Sequence, residues 1–237
     1  MHAAYENERS FSYLLDTPLA ALQPDRPFDD EAQTERRARI LDAAERCFVR
    51  SGFHRTTMQD VAAEAKMSPG NLYRYFPSKD AIAGGLAERD RAEVAEDFNA
   101  LAGTEDFIDS FARLGRKHFE EKPREKAILC LEIWAEATRN PTFAAMTSAF
   151  ECDIHGRMEA LFRQAQEKGL VAPDVDARSL ATLVSTLADG LFVRRAILPS
   201  FAPETEIASV MAVIEAAFAG RIGLPKTAAA ATAERKS

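Results

Sequence analysis

Residues 56–83 read TTMQDVAAEAKMSPGNLYRYFPSKDAIA, and their punctuation decides the fold. Thr56, Thr57, Met58 and Gln59 form a capping-box pattern that opens a short helix ending near Ala65. Ser68 supplies an N-cap and Pro69 a first helical residue whose missing N–H costs nothing, so a second short helix starts there. Pro77 stops it, and Ser78 caps a third. Two short helices about three residues apart make a helix-turn-helix, the arrangement that lays its second helix in the major groove of DNA. Val61, Ala62, Ala65, Met67 and Leu72 are spaced to pack the two helices together, and Phe53 and Phe76 close the unit against a preceding helix.

Working outward, that preceding helix is predicted over residues 34–51, with Ile40, Ala44 and Phe48 on its buried face and Gly52 as its stop. Downstream the signals are helical throughout. A helix runs from Ser78 to about Ala100; Thr104 caps another to about Glu121; Pro123 opens one to about Arg139; Asn140-Pro141 opens one that stops at Gly169. Two more cover residues 176–198 and 203–221, with Pro199 as the breaker between them. The expected fold is all-α, about nine helices. Residues 1–33 read as an acidic, mostly disordered arm, 34–80 as a helix-turn-helix DNA-binding domain, 81–222 as a helical regulatory and dimerisation domain, and 223–237 as a flexible tail.

The net charge of −7 argues against a nucleic-acid binder until it is resolved along the chain. Residues 34–80 hold nine Arg and Lys against six Asp and Glu, and the remainder holds 21 against 31. A small basic module therefore sits on an acidic body. No apolar run approaches the ~18 residues of a membrane span, and the N-terminus lacks the basic and apolar regions of a secretory signal, so a cytoplasmic address is expected. Cys47, Cys130 and Cys152 are odd in number and far apart, which suggests free, helix-buried thiols, with redox sensing as the alternative.

The quoted stretch resembles the DNA-binding signature of the TetR family, TxxxIAxxAGVSxGxLYxYFxSKxxL. Ala62, Ala65, Ser68, Gly70, Leu72, Tyr73, Tyr75, Phe76, Ser78 and Lys79 stand at family positions. Lys66 departs from it, occupying a turn position usually held by glycine, which implies strain or a reshaped turn. Double-stranded operator DNA is the partner so implied. Thr57 and Lys79 are placed for phosphate contacts, and Tyr75 resembles the family tyrosine whose hydroxyl meets phosphate. Ser68, Pro69, Gly70, Asn71, Tyr73 and Arg74 surround the start of the recognition helix, where Asn can read adenine and Arg guanine. Arg36 and Arg37, with Arg39, add backbone attraction that positions without specifying. The bland alternative makes these tyrosines half-buried helix aromatics and Arg74 and Lys79 a solvated face.

For the body, Leu180, Leu183, Val184, Leu187 and Leu191 stripe the penultimate helix, and Ile207, Val210, Met211, Ile214 and Phe218 stripe the last. Two such helices from each subunit would form a four-helix seam, and the resemblance implies the same homodimer. Intramolecular core is the competing explanation. Phe107, Phe111, Trp134 and Phe150 can line a pocket for a small apolar or aromatic effector, with His118 and His155 as polar candidates, or can simply be core. The helix after Ser78 is expected to be the only long element joining module and body. Residues 131–146, LEIWAEATRNPTFAAM, resemble the regulatory domain of the BetI-like branch of the family. Cys152 and His155 share a helical face that His118 could complete as a metal site, but no second close pair supports it, so no metal or cofactor is expected. No GxSxG, Walker A, GxGxxG or HExxH pattern supports catalysis. The leading expectation is a repressor released from a palindromic operator by its effector. A regulator without a small ligand, controlled by a protein partner or acting constitutively, comes second, and an enzyme last.

Overall fold

The computed structural model describes residues 27–102, 104 and 106–226. Among them are nine α-helices and no strand: α1 (Pro27–Ser51), α2 (Met58–Glu64), α3 (Pro69–Tyr75), α4 (Lys79–Ala102), α5 (Phe107–Arg116), α6 (Arg124–Ala137), α7 (Pro141–Glu167), α8 (Ala177–Ile197) and α9 (Pro203–Phe218). A π-helical turn over Lys117–Glu121 continues α5. The chain divides into two compact units, Met1–Ala38 and Arg39–Ser237. In the first, the described residues are turns of α1, exposed from Gln33 to Ala38.

Most helix ends fall where the caps put them, for identifiable reasons. The Ser68 hydroxyl accepts from the Asn71 amide at 3.3 Å, Ser78 from Ala81 at 3.1 Å, the Asn140 side chain from Thr142 at 3.0 Å and Asp176 from Ser179 at 2.8 Å. Three starts differ. Helix α1 begins at Pro27, so residues 27–33 are helical and not part of a disordered arm, proline being tolerated in a first turn; residues 1–26 lie outside the described part, as do 227–237 of the expected tail. The capping box of α2 is Thr57 with Asp60, each bonding the other's backbone N–H, and not Thr56 with Gln59. Thr56 is instead buried, its hydroxyl on the carbonyls of Cys47 and Gly52. Thr104 does not cap α5, which begins after Asp106.

Helices α2, α7 and α9 end in the same turn, in which a left-handed residue lets two successive amides close on the last carbonyls. Gly169 (φ 74°) and Gly220 (φ 67°) occupy the left-handed position in α7 and α9. In α2 it is Lys66, at φ 56°, with its own amide on Ala63 and that of Met67 on Ala62. The glycine-type turn is therefore kept and the lysine is strained into it.

Two apolar cores organise the unit from Arg39 onward. One joins α1 to α4 around Ile40, Phe48, Val61, Leu72 and Phe76, and it also takes in Leu129 of α6 and Phe143 of α7. The other fills the body around Phe107, Phe111, Phe162, Leu180 and Phe218. Close approach of α4 to the first core depends on Gly85, where a Cβ would come within 3.0 Å of both Leu41 and Phe76. Among the described residues no helix is long and apolar enough to cross a membrane.

Candidate functional site

Helix α3 is held by its buried side and presents the other. Leu72 is fully buried and Phe76, just past the helix, nearly so, while Pro69, Gly70, Tyr73 and Arg74 are exposed, Tyr73 to 46%. Asn71 is half-buried at the first turn, and Tyr75 packs part of its ring on the module core. Ser68 and Thr57 are exposed, but each side-chain oxygen already caps its helix. Arg36 and Arg37 lie on exposed turns of α1.

The positive charge of the module is partly committed inside the protein. Arg46 and Arg50 both reach Glu64, bracing α1 to α2, and Arg55 donates to the Ser51 carbonyl. Lys79 was expected on phosphate, but its ammonium donates to the carbonyls of Phe53 (2.7 Å), His54 (3.3 Å) and Thr56 (3.1 Å) and sits 4.4 Å from the centre of the Phe53 ring. Three donors meet three acceptors, and burial pushes the amine below the usual lysine range. Its visible work is to hold the α1–α2 loop against α4. Arg39, Lys66 and Arg74 remain exposed.

That loop is also gripped from the body. The Phe53 amide donates to Glu132 of α6 at 2.7 Å, and Gly52 (φ 82°) has no room for a side chain, since a Cβ would stand 3.0 Å from the same carboxylate. Phe53 meets Phe143 of α7 edge-on at 5.2 Å, and Glu136 lies 3.3 Å from the His54 imidazole. On the inner side of α6, Lys126 bridges Glu45 of α1 (2.8 Å) and Asp90 of α4 (3.1 Å). Helix α4 is thus not the only long element joining the two regions; α6 and α7 do so through tertiary contacts that sequence spacing does not encode.

The body contains a cavity of about 290 Å³ walled by α4 to α9 and, at one edge, by Glu45 of α1. Phe111, His118, Trp134 and Phe150 stand on its wall; Phe107 and His155 do not. Phe107 packs on Phe111 (6.1 Å) and Phe218 (5.6 Å) in the core, and His155 bonds Thr182 at 3.0 Å, tying α7 to α8. The π-helical turn brings His118 and Phe119 to the wall, and His118 bonds Asp97 at 3.1 Å, where burial lowers its pKa against the opposing pull of that carboxylate. Buried Arg195 donates to the carbonyls of His118, Glu120 and Lys122, satisfying the end of that turn. Sequence reading missed Arg195, and also Glu151, Asp189 and Thr147, all on the wall. Polar residues at intervals in apolar helices were the available signal.

The expected dimer stripe mostly faces inward. Leu180 and Phe218 are core, while Val184, Leu191, Ile207, Met211 and Ile214 are buried and line the cavity. Periodicity identifies a buried face without saying what buries it. Leu183, Leu187 and Val210 are half-buried, and the outward apolar side chains of α8 and α9 are Ile197 (56% exposed) and Val213 (38%). The cysteines are free: Cys47 is buried, and burial pushes the Cys130 thiol up to about 11, away from thiolate chemistry. Among the described residues no three His, Cys, Asp or Glu side chains are grouped to hold a metal ion.

Residues 40–85 match the family described as bacterial regulatory proteins, tetR family. Residues 118–219 match the BetI-type transcriptional repressor C-terminal family. Over 169 residues, 68% of this chain and 84% of its relative, the chain is 31% identical to the HTH-type transcriptional regulator UidR of Escherichia coli (strain K12). The chain belongs to the TetR family. Over 159 residues it is 34% identical to the HTH-type transcriptional repressor KstR of Mycolicibacterium smegmatis, covering 65% of this chain and 74% of that one. Among solved structures, Salmonella enterica GusR superposes with a TM-score of 0.66 at 27% identity, over 78% of this chain and 95% of that one. A transcriptional regulator from Saccharomonospora viridis in complex with choline gives 0.65 at 26%, over 77% and 96%. This TetR-family member is accordingly a helix-turn-helix transcription regulator, with α2 and α3 inside the matched DNA-binding segment.

Proposed function

We propose that this TetR-family regulator is a homodimeric repressor that leaves a palindromic operator when a small effector fills the cavity in its body. The observation that carries the reading is that one helix, α6, serves both places. Leu129, Cys130, Ile133 and Trp134 face or border the cavity, while Glu132, on the same turns, holds the Phe53 amide of the α1–α2 loop. A ligand that moves α6 by a fraction of an ångström pulls on the loop that Lys79 and Phe143 also fix, and so on the attitude of α3. Such a ligand releases DNA only if it prefers the non-binding arrangement; tight binding alone shifts nothing.

On DNA, Asn71, Tyr73 and Arg74 are proposed to meet base edges, with Pro69 and Gly70 allowing close approach. Thr57, Ser68 and Tyr75 are proposed to meet phosphate, and Arg36 and Arg37 to add charge. Lys79 is proposed to position the loop. The partner protomer is proposed to cover Ile197 and Val213 together with Leu183 and Leu187. A glutamate in place of Val213 is expected to give folded monomers by light scattering, with poor operator affinity; an unchanged dimer moves the interface elsewhere.

The test of the main reading starts from duplexes selected from a random pool by the full-length protein. Anisotropy of the selected duplex and fluorescence of Trp134, the single tryptophan, then report operator and cavity separately. An effector coupled by an ordinary ~1–3 kcal/mol weakens operator affinity by roughly 5- to 150-fold, and the operator weakens effector affinity by the same factor. Equal effector affinity with and without operator overturns the sensing mechanism and leaves DNA binding intact.

A further inference from the structure

Helix α5 does not end as an α-helix. It runs into the π-helical turn Lys117–Glu121, a form in which each backbone bond reaches five residues along and one extra residue is taken into the helix. The sequence KHFEE does not ask for this: lysine and glutamate favour the α form, and histidine and phenylalanine tolerate it. The reason lies just beyond, at Pro123, which has no N–H to offer. In α register the missing amide is the one due to the Phe119 carbonyl, four residues back; in π register it is the one due to His118, five back. The choice of register is therefore a choice of which carbonyl is left without its helical donor.

The fold supplies a donor for one of the two. The guanidinium of Arg195, buried in the last turn of α8, donates to the His118 carbonyl at 3.4 Å and also to those of Glu120 (3.3 Å) and Lys122. Among the described residues every hydrogen bond it makes goes to a backbone carbonyl, and none goes to Phe119. Arg124, directly after the proline, answers from the other side, donating to the carbonyls of Arg195 (3.0 Å) and Ala196 (2.7 Å). A buried guanidinium must keep its partners, so it favours the register in which these carbonyls point at it.

What the register sets is the grip on α4. Lys117 lies 2.8 Å from Asp97 and 3.1 Å from Glu93, His118 lies 3.1 Å from Asp97, and Lys122 lies 2.7 Å from Glu93. Residues five apart stand roughly 140° apart around an α-helix, so Lys117 and Lys122 would not face one carboxylate in that form. We propose that Arg195 is a positioning residue for operator binding: it holds the 117–121 turn in π register, and the turn in that register holds α4. Helix α4 starts at Lys79, and its Gly85 packs closely on Leu41 and Phe76 of the DNA-binding module. Release to α register swings the side chains beyond the turn by roughly 100° about the helix axis, takes Lys122 off Glu93 and leaves α4 free to shift beneath that module. The device needs no ligand and stands apart from the effector reading.

The test is made on the full-length protein with no ligand added. Arg195→Met keeps a buried stem and removes all three bonds. Pro123→Ala instead gives the Phe119 carbonyl its α-helical donor and leaves Arg195 in place. Both are expected to weaken affinity for the selected duplex, Arg195→Met by roughly 5-fold or more, the lower end of ordinary coupling between sites, and Pro123→Ala by less. In both, amides of residues 79–102 should exchange faster with deuterium, read by mass spectrometry. Arg195→Lys, which still offers three donors, should recover part of the lost affinity. Phe162→Leu, in the body core, is the control for stability alone: it should lower the melting temperature and leave operator affinity as in the wild type. Unchanged affinity in a folded Arg195→Met protein, or an equal loss in Phe162→Leu, overturns the positioning role. If Arg195→Met does not fold, Pro123→Ala decides, and wild-type affinity with wild-type exchange over α4 overturns it. Failure of the effector reading would leave each of these results unchanged.

Discussion

In the helix-turn-helix module the Thr56 hydroxyl, the Phe53 amide and the Lys79 ammonium each end on a protein partner. In the body, Thr147, Glu151 and Asp189 line a cavity, and their side-chain oxygens have no partner among the described residues. One region is satisfied on its own terms and shows a finished surface to DNA. The other has polar side chains on a cavity wall that no neighbouring side chain among the described residues satisfies. A reader of a fixed groove benefits from rigidity, whereas a receptor has to retain binding energy for its ligand. The contrast can be broken experimentally, starting where the largest effect is expected.

Phe143 belongs to α7 of the body but is 1% exposed inside the module core. Phe143→Ala should cost about 3–5 kcal/mol, the range for deleting a buried phenyl ring, and abolish operator binding. Trp134→Ala, on the cavity wall, should cost under about 2 kcal/mol. Urea denaturation measures both. Similar losses would mean that the cavity wall is as essential to the fold as the module core. Lys79→Met comes next. It keeps the stem over Phe53 and removes three bonds to carbonyls, so a stability loss of about 1–3 kcal/mol is expected with no change in the salt slope of operator binding. A slope lowered by ~0.9 would return Lys79 to the phosphate contacts.

Lys79 also marks the limit of what was legible in the chain. The module could be read because its signals are local: Ser68-Pro69, Pro77-Ser78 and the spacing of Val61, Ala65 and Leu72 determine elements within a few residues of themselves. A lysine at a helix start is equally consistent with phosphate and with the Phe53 carbonyl 26 residues earlier, and only the folded loop decides. The stripes of α8 and α9 fail in the same way, since Leu180 and Ile214 are spaced for burial in a neighbouring subunit or in their own. Phe111, Trp134 and Phe150 were legible as cavity candidates by type, but Glu151 and Asp189, which also line it, sit in helices where a carboxylate ordinarily reads as solvent-facing.

The same two carboxylates predict a pH dependence that the module should lack. Both titrate above their unfolded values, so their contribution to folding is complete at acid pH and lost as pH rises through the folded pKa. The Glu151→Gln, Asp189→Asn variant, which cannot ionise there, should melt about 2–4 °C higher than the wild type at pH 8, the difference shrinking as pH falls towards 4. Scanning calorimetry without ligand checks it. A lower melting temperature at pH 8 would show that the carboxylates have favourable partners, and the comparison with the module would lose its basis.

The smallest effect is expected at the one place where the module itself is not at ease. Lys66 holds φ 56° in a turn for which α7 and α9 use Gly169 and Gly220. An L-residue there costs about 1–2 kcal/mol, part of which glycine gives back through its greater freedom in the unfolded chain, so Lys66→Gly should stabilise by about 0.5–1 kcal/mol. Strain retained beside a recognition helix suggests that the side chain has a use. Lys66 is exposed in the turn leading into α3, and among the described residues its ammonium is bonded to no carboxylate or carbonyl. A more stable Lys66→Gly protein should therefore bind operator more weakly, with a salt slope lower by ~0.9 for one lost phosphate contact. Denaturation and salt titration of the same variant separate the outcomes. A gain in stability with an unchanged slope would leave the strain without a function, and no gain in stability would mean that neighbouring contacts already relieve the turn.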